Sequence, residues 1–346
     1  MKRRHKERIA GIVDRAERFF GQKVVRATAP GGSGRSSYRL IFEDRTVIAT
    51  LRPNFRRTHL EAFVLKRLAQ DCGDTPECLG VDGELMFQSD VGGERLNLAI
   101  AEATPERRLA LASEAIAAIF RIQEAGRKQA LQNALPHLGQ NRDWIDNLVQ
   151  STAALAEFSR GRSAGLDHAA LATRLDFPGR QFVKWDCRSG NAAIGTDGRL
   201  RWFDFEYSGA RHGAEDIAWL IGDEAWPLSP AAMEQVVIDC FDPGCGHDRD
   251  AYLDYLAFYL TFHCIQRFKL IVKEARKRGW IAKARVRKYD DAGVHPEFAV
   301  QICRVGAYFA SRRPDTAPIG RDFEETGTVF LNILKDGLRQ AETVTA

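Results

Sequence analysis

Three polar residues around a short apolar hairpin carry the chemistry this chain offers most clearly. Asp186, Asn191 and Asp204 fall within the stretch from Gln181 to Glu206, QFVKWDCRSGNAAIGTDGRLRWFDFE. Inside it, apolar segments at 191–195 and 200–203 are joined by Thr196-Asp197-Gly198-Arg199. Asp-Gly between apolar runs predicts a hairpin, because glycine takes the positive φ of a tight turn without steric cost. A hairpin brings its ends together. A carboxylate and a carboxamide at its entry are therefore expected to meet a second carboxylate at its exit, although 18 residues separate Asp186 from Asp204. Such a set suits a hard divalent cation such as Mg²⁺, which takes oxygen ligands and shares substrate phosphates.

The pattern DxxxxN followed by an apolar-flanked Asp resembles the catalytic core of the protein-kinase-like superfamily. It is more closely similar to the aminoglycoside phosphotransferase and choline kinase branch, whose core reads HGDxxxxN and then hDhE, with h apolar. Here Lys184-Trp185-Asp186-Cys187-Arg188-Ser189-Gly190-Asn191 precedes Phe203-Asp204-Phe205-Glu206. The branch then has Gly and, three residues later, Asp-apolar-Ala, matched by Gly213-Ala214-Glu215-Asp216-Ile217-Ala218. The resemblance covers about residues 24 to 225. It implies that Asp186 accepts the proton of, or orients, a substrate hydroxyl, while Asn191 and Asp204 hold Mg²⁺ on the phosphates of ATP. The chain departs from the branch at Lys184, where His is usual. An ion pair from Lys184 to Asp216 or Asp204 is the expected replacement. Asp216 is expected to cap the helix that follows it and to tie down the catalytic loop.

Upstream elements must bring a nucleotide to these residues. Apolar positions at helical spacing predict a helix over 5–20, closed by Gly21, followed by strands at 24–28 and 38–42. Between the strands lies Pro30-Gly31-Gly32-Ser33-Gly34-Arg35-Ser36-Ser37. Gly31, Gly32 and Gly34 let backbone N–H groups approach a phosphate, and Ser33, Ser36 or Ser37 add hydroxyl donors. The bland alternative is a hairpin tip. A third strand, 46–52, ends in Arg52, its one basic residue near the position where kinases grip the α and β phosphates. A guanidinium offers phosphate a fork of donors. On the next helix, 58–69, Glu61 stands where the resemblance places the partner of that base. Strands at 76–79 and 84–87 flank the turn Val81-Asp82-Gly83 and lead into Gln88-Ser89-Asp90-Val91-Gly92-Gly93. By resemblance this is the hinge that meets adenine, with Gln88 and Asp90 as nucleotide-binding candidates. The expected fold is α+β and bilobal: residues 1–92 a small antiparallel-sheet lobe with a leading helix, residues 93–346 a helical lobe.

Thr104-Pro105 and Ser229-Pro230 start helices, and further helical patterns run over 142–158, 250–278, 296–310 and 322–338. With 346 residues, 45% hydrophobic and 28% charged, the chain has ordinary globular composition and enough length for two cores. Seven cysteines, odd in number and without a CxxC pair, suit reduced thiols. Cys240, Cys245 and His247 lie close in sequence but lack a second paired ligand set, so no metal site is expected there. No apolar stretch is long enough to span a bilayer and the basic N-terminus has no signal-peptide core, so a cytoplasmic protein is expected.

Net charge is +4, yet residues 267 to 288 hold ten Lys and Arg against Glu274. The bland reading is a solvated helix face; the functional one is an anionic partner, which argues against a polycationic aminoglycoside. FVKWDCRSGN and Arg267-Phe268-Lys269 loosely resemble bacterial N-acetylmuramate and N-acetylglucosamine kinases over about a third of the chain. The expectation is an ATP- and Mg²⁺-dependent phosphotransferase acting on a hydroxyl of a small molecule such as an amino sugar or amino alcohol. The rival is a catalytically silent kinase-like binding module. A nucleic-acid partner is not expected, since no aromatic-interleaved platform or recognition module is present.

Overall fold

The computed structural model describes residues 2–30, 32, 36–52, 54–176, 180–289 and 292–345. A five-stranded antiparallel sheet comes first: β1 (Arg26–Thr28), β2 (Ser37–Ile41), β3 (Thr46–Leu51), β4 (Cys78–Asp82) and β5 (Leu85–Ser89), in spatial order β1-β2-β3-β5-β4. Alternate residues of β2 and β3 point inward, so Tyr38, Leu40, Val47 and Ala49 meet Leu85 and Phe87 beneath the sheet. Helix α1 (Lys2–Phe20) closes this core with Ile12 and Ala16 and ends at Gly21, whose φ of 65° lets it cap the helix.

Helix α2 (Phe55–Leu68) turns the other way. Ala62, Val64, Leu65 and Leu68 join the second, larger core. The helix begins three residues before its expected start because the Asn54 side chain accepts the Arg56 N–H at 3.0 Å. β4 likewise runs through Asp82, so the hairpin turn falls one to two residues later than expected.

The helical lobe opens with β6 (Glu94–Arg95), α3 (Leu96–Glu102) and α4 (Pro105–Lys128). Short helices follow, α5 (Leu131–Ala134), α6 (Arg142–Gln150), α7 (Ala153–Ala156) and α8 (His168–Leu175). The helix expected over 142–158 breaks because Ser151 Oγ donates to the Leu148 carbonyl at 2.5 Å. Four strands frame the central stretch: β7 (Gln181–Val183), β8 (Ala192–Ile194), β9 (Leu200–Trp202) and β10 (Gly209–Arg211). β6-β8-β9 form one small sheet, and β7 pairs antiparallel with β10. The chain ends with α9 (Ala214–Ile221), α10 (Pro230–Cys240), α11 (Arg249–Arg278), α12 (Lys283–Tyr289), α13 (Pro296–Ala310) and α14 (Ala317–Thr345). α11 is the spine of this lobe: Tyr255, Leu256, Tyr259, Phe262, Ile265 and Phe268 are all buried along it.

Candidate active site

The β8–β9 hairpin forms as its turn residues dictate. Gly198 takes φ 74°, and the Gly195 N–H donates to the Arg199 carbonyl at 2.9 Å. At its ends the backbone is strained. Four non-glycine residues among those described have positive φ, and three of them are Trp185 (56°), Asp186 (49°) and Asp204 (67°). Each such residue costs about 1–3 kcal/mol and persists only where neighbours hold it. Here the buried Asp216 carboxylate accepts the N–H groups of Lys184 at 3.0 Å and Trp185 at 2.7 Å, and the Gln123 amide at 2.9 Å. Asp216 thus ties down the loop as expected, but it does not cap α9, whose N-cap is Gly213.

Lys184 behaves differently from the expected ion pair. Its ammonium donates to three main-chain carbonyls, those of Trp185 (3.3 Å), Asp186 (3.2 Å) and Asp204 (3.0 Å), under the rings of Phe205 and Trp202. Among the described residues no carboxylate reaches it. The left-handed turns at Asp186 and Asp204 aim carbonyl oxygens at one point, and a buried three-donor cation satisfies them. One ammonium therefore bridges the main chains of both acids.

Asp186 is held at both oxygens: Oδ1 accepts from Arg188 Nε at 2.8 Å and Oδ2 from Asn191 Nδ2 at 3.0 Å. Burial pushes its carboxyl up, but Arg188, Lys184 and Arg267 outweigh burial and hold it below the ordinary carboxylate value. Asn191 uses its amide N–H on Asp186, which leaves the amide oxygen available to another partner. Arg188 was not singled out in the sequence; it lies in the variable spacer of DxxxxN, where no motif marks it.

Arg52 follows β3 and is buried at 8% exposure. Its guanidinium donates to Glu61 at 2.8 Å, to Glu206 at 3.0 Å and to Asp204. Burial alone would lower its pKa; Glu61, Asp204 and Glu206 together raise it. Glu61 also accepts the Phe205 N–H at 2.9 Å, so α2 grips both the base and the strand exit that carries Asp204. Glu206 completes the cage. Burial holds its carboxyl above the ordinary value, Arg52 opposes this, and Asp204 and Glu61 add to it. The FDFE motif contained Glu206, but nothing in the sequence said that it would face Arg52.

Between sheet and helical lobe lies a narrow cleft of about 170 Å³, bounded by Ser37, Gln88, Asp90, Gly93, Phe203 and Lys288. Gln88 is buried with its amide oxygen unpartnered among the described residues. Asp90 also lines the cleft, but its carboxylate is clamped by Arg39 at 2.6 Å and accepts the Gly92 N–H at 3.2 Å. A larger cavity of about 610 Å³ lies beside Gly92, Asp197 and Arg201, and none of Asp186, Asn191 or Asp204 lines it. In the glycine-rich segment, Gly32 takes φ 91° and its N–H donates to Ala29, while the Ser36 carbonyl pairs with Leu51 at the mouth of β2. A Cβ on Gly32 would meet the Tyr289 ring at 3.5 Å. Gly31, Ser33 and Gly34 lie outside the described residues.

One other expectation changes. Arg267 is not available to an anionic partner: it is buried in α11 and holds Glu224 at 2.7 and 2.9 Å. Arg278 pairs with Glu274 at 3.1 Å, Lys283 with Glu297 at 2.6 Å, and Arg276 with Glu157. The basic run is thus divided among a buried ion pair, surface pairs and α12. His247 Nε2 meets Gln181 at 2.8 Å while Cys240 Sγ meets the Ser113 carbonyl, and no cluster of metal-ligating residues occurs among the described ones. No helix among them is long and apolar enough to cross a membrane.

The donor set fits a hard divalent cation. Asp204 is about a quarter exposed, and the Asn191 amide oxygen accepts no hydrogen bond among the described residues, so each offers an oxygen to such an ion.

No family model matches the chain, and no curated protein matches it in sequence. Solved structures do match. The GDP complex of aminoglycoside 2'-phosphotransferase-IIIa superposes at TM-score 0.55 and 13% identity, over 83% of this chain and 98% of that one. A choline/ethanolamine kinase family protein from Mesorhizobium loti gives 0.52 and 16%, over 86% and 92%. Spectinomycin phosphotransferase with ADP and spectinomycin gives 0.51 and 12%, over 88% and 95%. The chain therefore has the bilobal, protein-kinase-like fold that these small-molecule phosphotransferase structures share.

Proposed function

We propose that this protein, a two-lobed chain dividing near Gly92, transfers the γ-phosphoryl group of ATP to a hydroxyl of a small molecule in the cytoplasm. The observation that carries the reading is the strained loop itself. It presents an ionised carboxylate, Asp186, clamped by Arg188 and Asn191, beside a cage in which Arg52 and Glu61 meet Asp204. Such strain is retained where function requires it.

In this reading the acceptor oxygen forms a bond to the γ-phosphorus while its proton passes to an Asp186 carboxylate oxygen. The bond from phosphorus to the bridging oxygen breaks, and ADP leaves with that electron pair. Asn191 and Asp204 would hold Mg²⁺, which neutralises phosphate charge when bound. Arg52 turns part of its donor fork to phosphate, steadied by Glu61. The 88–93 hinge receives adenine, with Gln88 and Asp90 on its wall, and Gly32 and Ser36 of the glycine-rich segment serve the phosphates. Trp185, with Trp144 and Trp219 at ring distances of 5.9 and 6.5 Å, forms an aromatic wall next to Asp186 that suits an amino sugar or amino alcohol.

A second reading has one specific support. The Arg52 guanidinium sits on the Asp204 carboxylate, the place proposed for the cation, as a silent binding module would have it. A nucleotide-consumption screen over amino sugars, amino alcohols, nucleosides and antibiotics separates the two. Turnover with one acceptor, lost about 10²–10⁴-fold in Asp186→Asn while the ATP·Mg²⁺ thermal shift persists, is the expected result. Full activity in that variant removes Asp186 from the mechanism. Absence of both turnover and a Mg²⁺-dependent shift favours the silent module.

A further inference from the structure

Beyond α12 from the nucleotide cleft lies a separate cavity of about 730 Å³, inside the roughly 300–1,000 Å³ range of small-molecule sites. It is bounded by α12, α13, α14, the end of α3 and the 224–227 loop, and none of Asp186, Asn191 or Asp204 lines it. The spacing of α12 explains how one helix serves both spaces. Lys283, Ala284 and Arg287 share the face toward this cavity, while Lys288 turns to the nucleotide cleft.

The lining is of two kinds. Trp226, Phe298, Leu331 and Leu334 supply apolar surface. Arg108, Arg287 and Arg304 supply charge, and both carboxylates that reach the cavity are already engaged. Glu224 is held bidentately by Arg267 and also accepts the Gly293 N–H at 2.8 Å; Glu297 is taken by Lys283. Arg108 donates to the carbonyls of Ile100 and Ala101 at 3.0 and 2.8 Å, which orients the guanidinium without neutralising it. Arg287 lies over the Phe298 ring at 5.7 Å, and its Nε is buried with no partner among the described residues. Burial holds the Arg287 pKa below its ordinary value. Glu297 and Asp223 pull it up and Arg108 pushes it further down. Among the described residues no carboxylate pairs with Arg287, and a guanidinium in that state beside apolar walls is an environment that a bound anion relieves.

We propose that this cavity binds a small anionic amphiphile. A carboxylate or phosphate ester would rest on Arg108, Arg287 and Arg304, and the apolar body on Trp226, Phe298, Leu331 and Leu334. The site is independent of the phosphoryl-transfer reading.

Titration calorimetry on the full chain, without nucleotide or acceptor and below micelle formation, tests it with decanoate, decyl phosphate and decanol. The expected result is one anionic probe per chain, bound at least about tenfold more tightly than decanol, with the better anion naming the headgroup. The double variant Arg287→Gln/Arg304→Gln removes no side-chain hydrogen bond or ion pair among the described residues. It should weaken the better anion by about tenfold or more, about 1.4 kcal/mol, with the melting temperature and the ATP response unchanged. Decanol binding as well as the anions, wild-type affinity in the double variant, or no binding of either anion would each overturn the proposal. Failure of phosphoryl transfer leaves these outcomes untouched.

Discussion

Asp186 is an acid that its neighbours keep charged. Because its pKa is held below the ordinary value, the base form persists to lower pH than for a free aspartate. Arg188 is the nearest of the cations responsible, at 2.8 Å. Removing it as Arg188→Met takes away that stabilisation, so the Asp186 pKa rises and protonation reaches the base earlier on acidification. The acidic limb of kcat should move up by about 1–2 pH units. A pH–rate profile checks this for the proposed reaction, and an unmoved limb shows that Arg188 does not set the charge state of Asp186.

At the scale of the element, the loop from Lys184 to Asn191 stands on two buried groups of opposite sign. Asp216 receives the loop's N–H groups and Lys184 its carbonyls. Lys184→Met keeps length and apolar bulk but leaves buried carbonyls unpaired, at a cost of about 1–3 kcal/mol. Urea unfolding should show that loss. Because the loosened turn carries Asp186, kcat should fall more than the apparent affinity for nucleotide changes. Equal stability and turnover in the variant would mean that water serves the carbonyls as well as the ammonium does.

At the scale of the whole molecule, the helical lobe is built to be stable near neutrality and to weaken in acid. Burial, then His247 and Arg211, bring His212 down to about 2. Burial and Arg267, against the opposing pull of Glu224, bring His263 down to about 3. Both imidazoles stay neutral in the folded chain, whereas the unfolded chain takes up protons below the ordinary value of 6.5. Their stabilisation is therefore complete above pH 6.5 and is lost progressively toward pH 3. Burial would raise Glu224, but Arg267 holds it well below the ordinary carboxylate value, so its own stabilisation is lost only below about pH 4.5. A melting-temperature profile should be level between about pH 7 and 8 and fall in these two stages on acidification, while the buried thiols and phenols, held neutral by burial, make it fall again in alkali. In His263→Gln the decline between pH 6.5 and 4.5 should be shallower; an unchanged slope would assign it to other groups.

What the sequence determined by itself was local. The Asp197-Gly198 turn, the DxxxxN loop, the glycine stop after α1 and the apolar face of α11 depend on residues a few positions apart, whose backbone preferences and periodicity survive in any context. The antiparallel sheet followed by helices gave the fold class for the same reason. Tertiary structure decided which charges meet. Arg52 reaches Asp204 and Glu206 across 152 and 154 residues, Arg267 turns inward to Glu224, and Lys184 finds carbonyls where an acid was expected. A charged side chain takes its partner from whatever packing brings within about 4 Å, and that is fixed only when the two lobes and their helices have closed on one another.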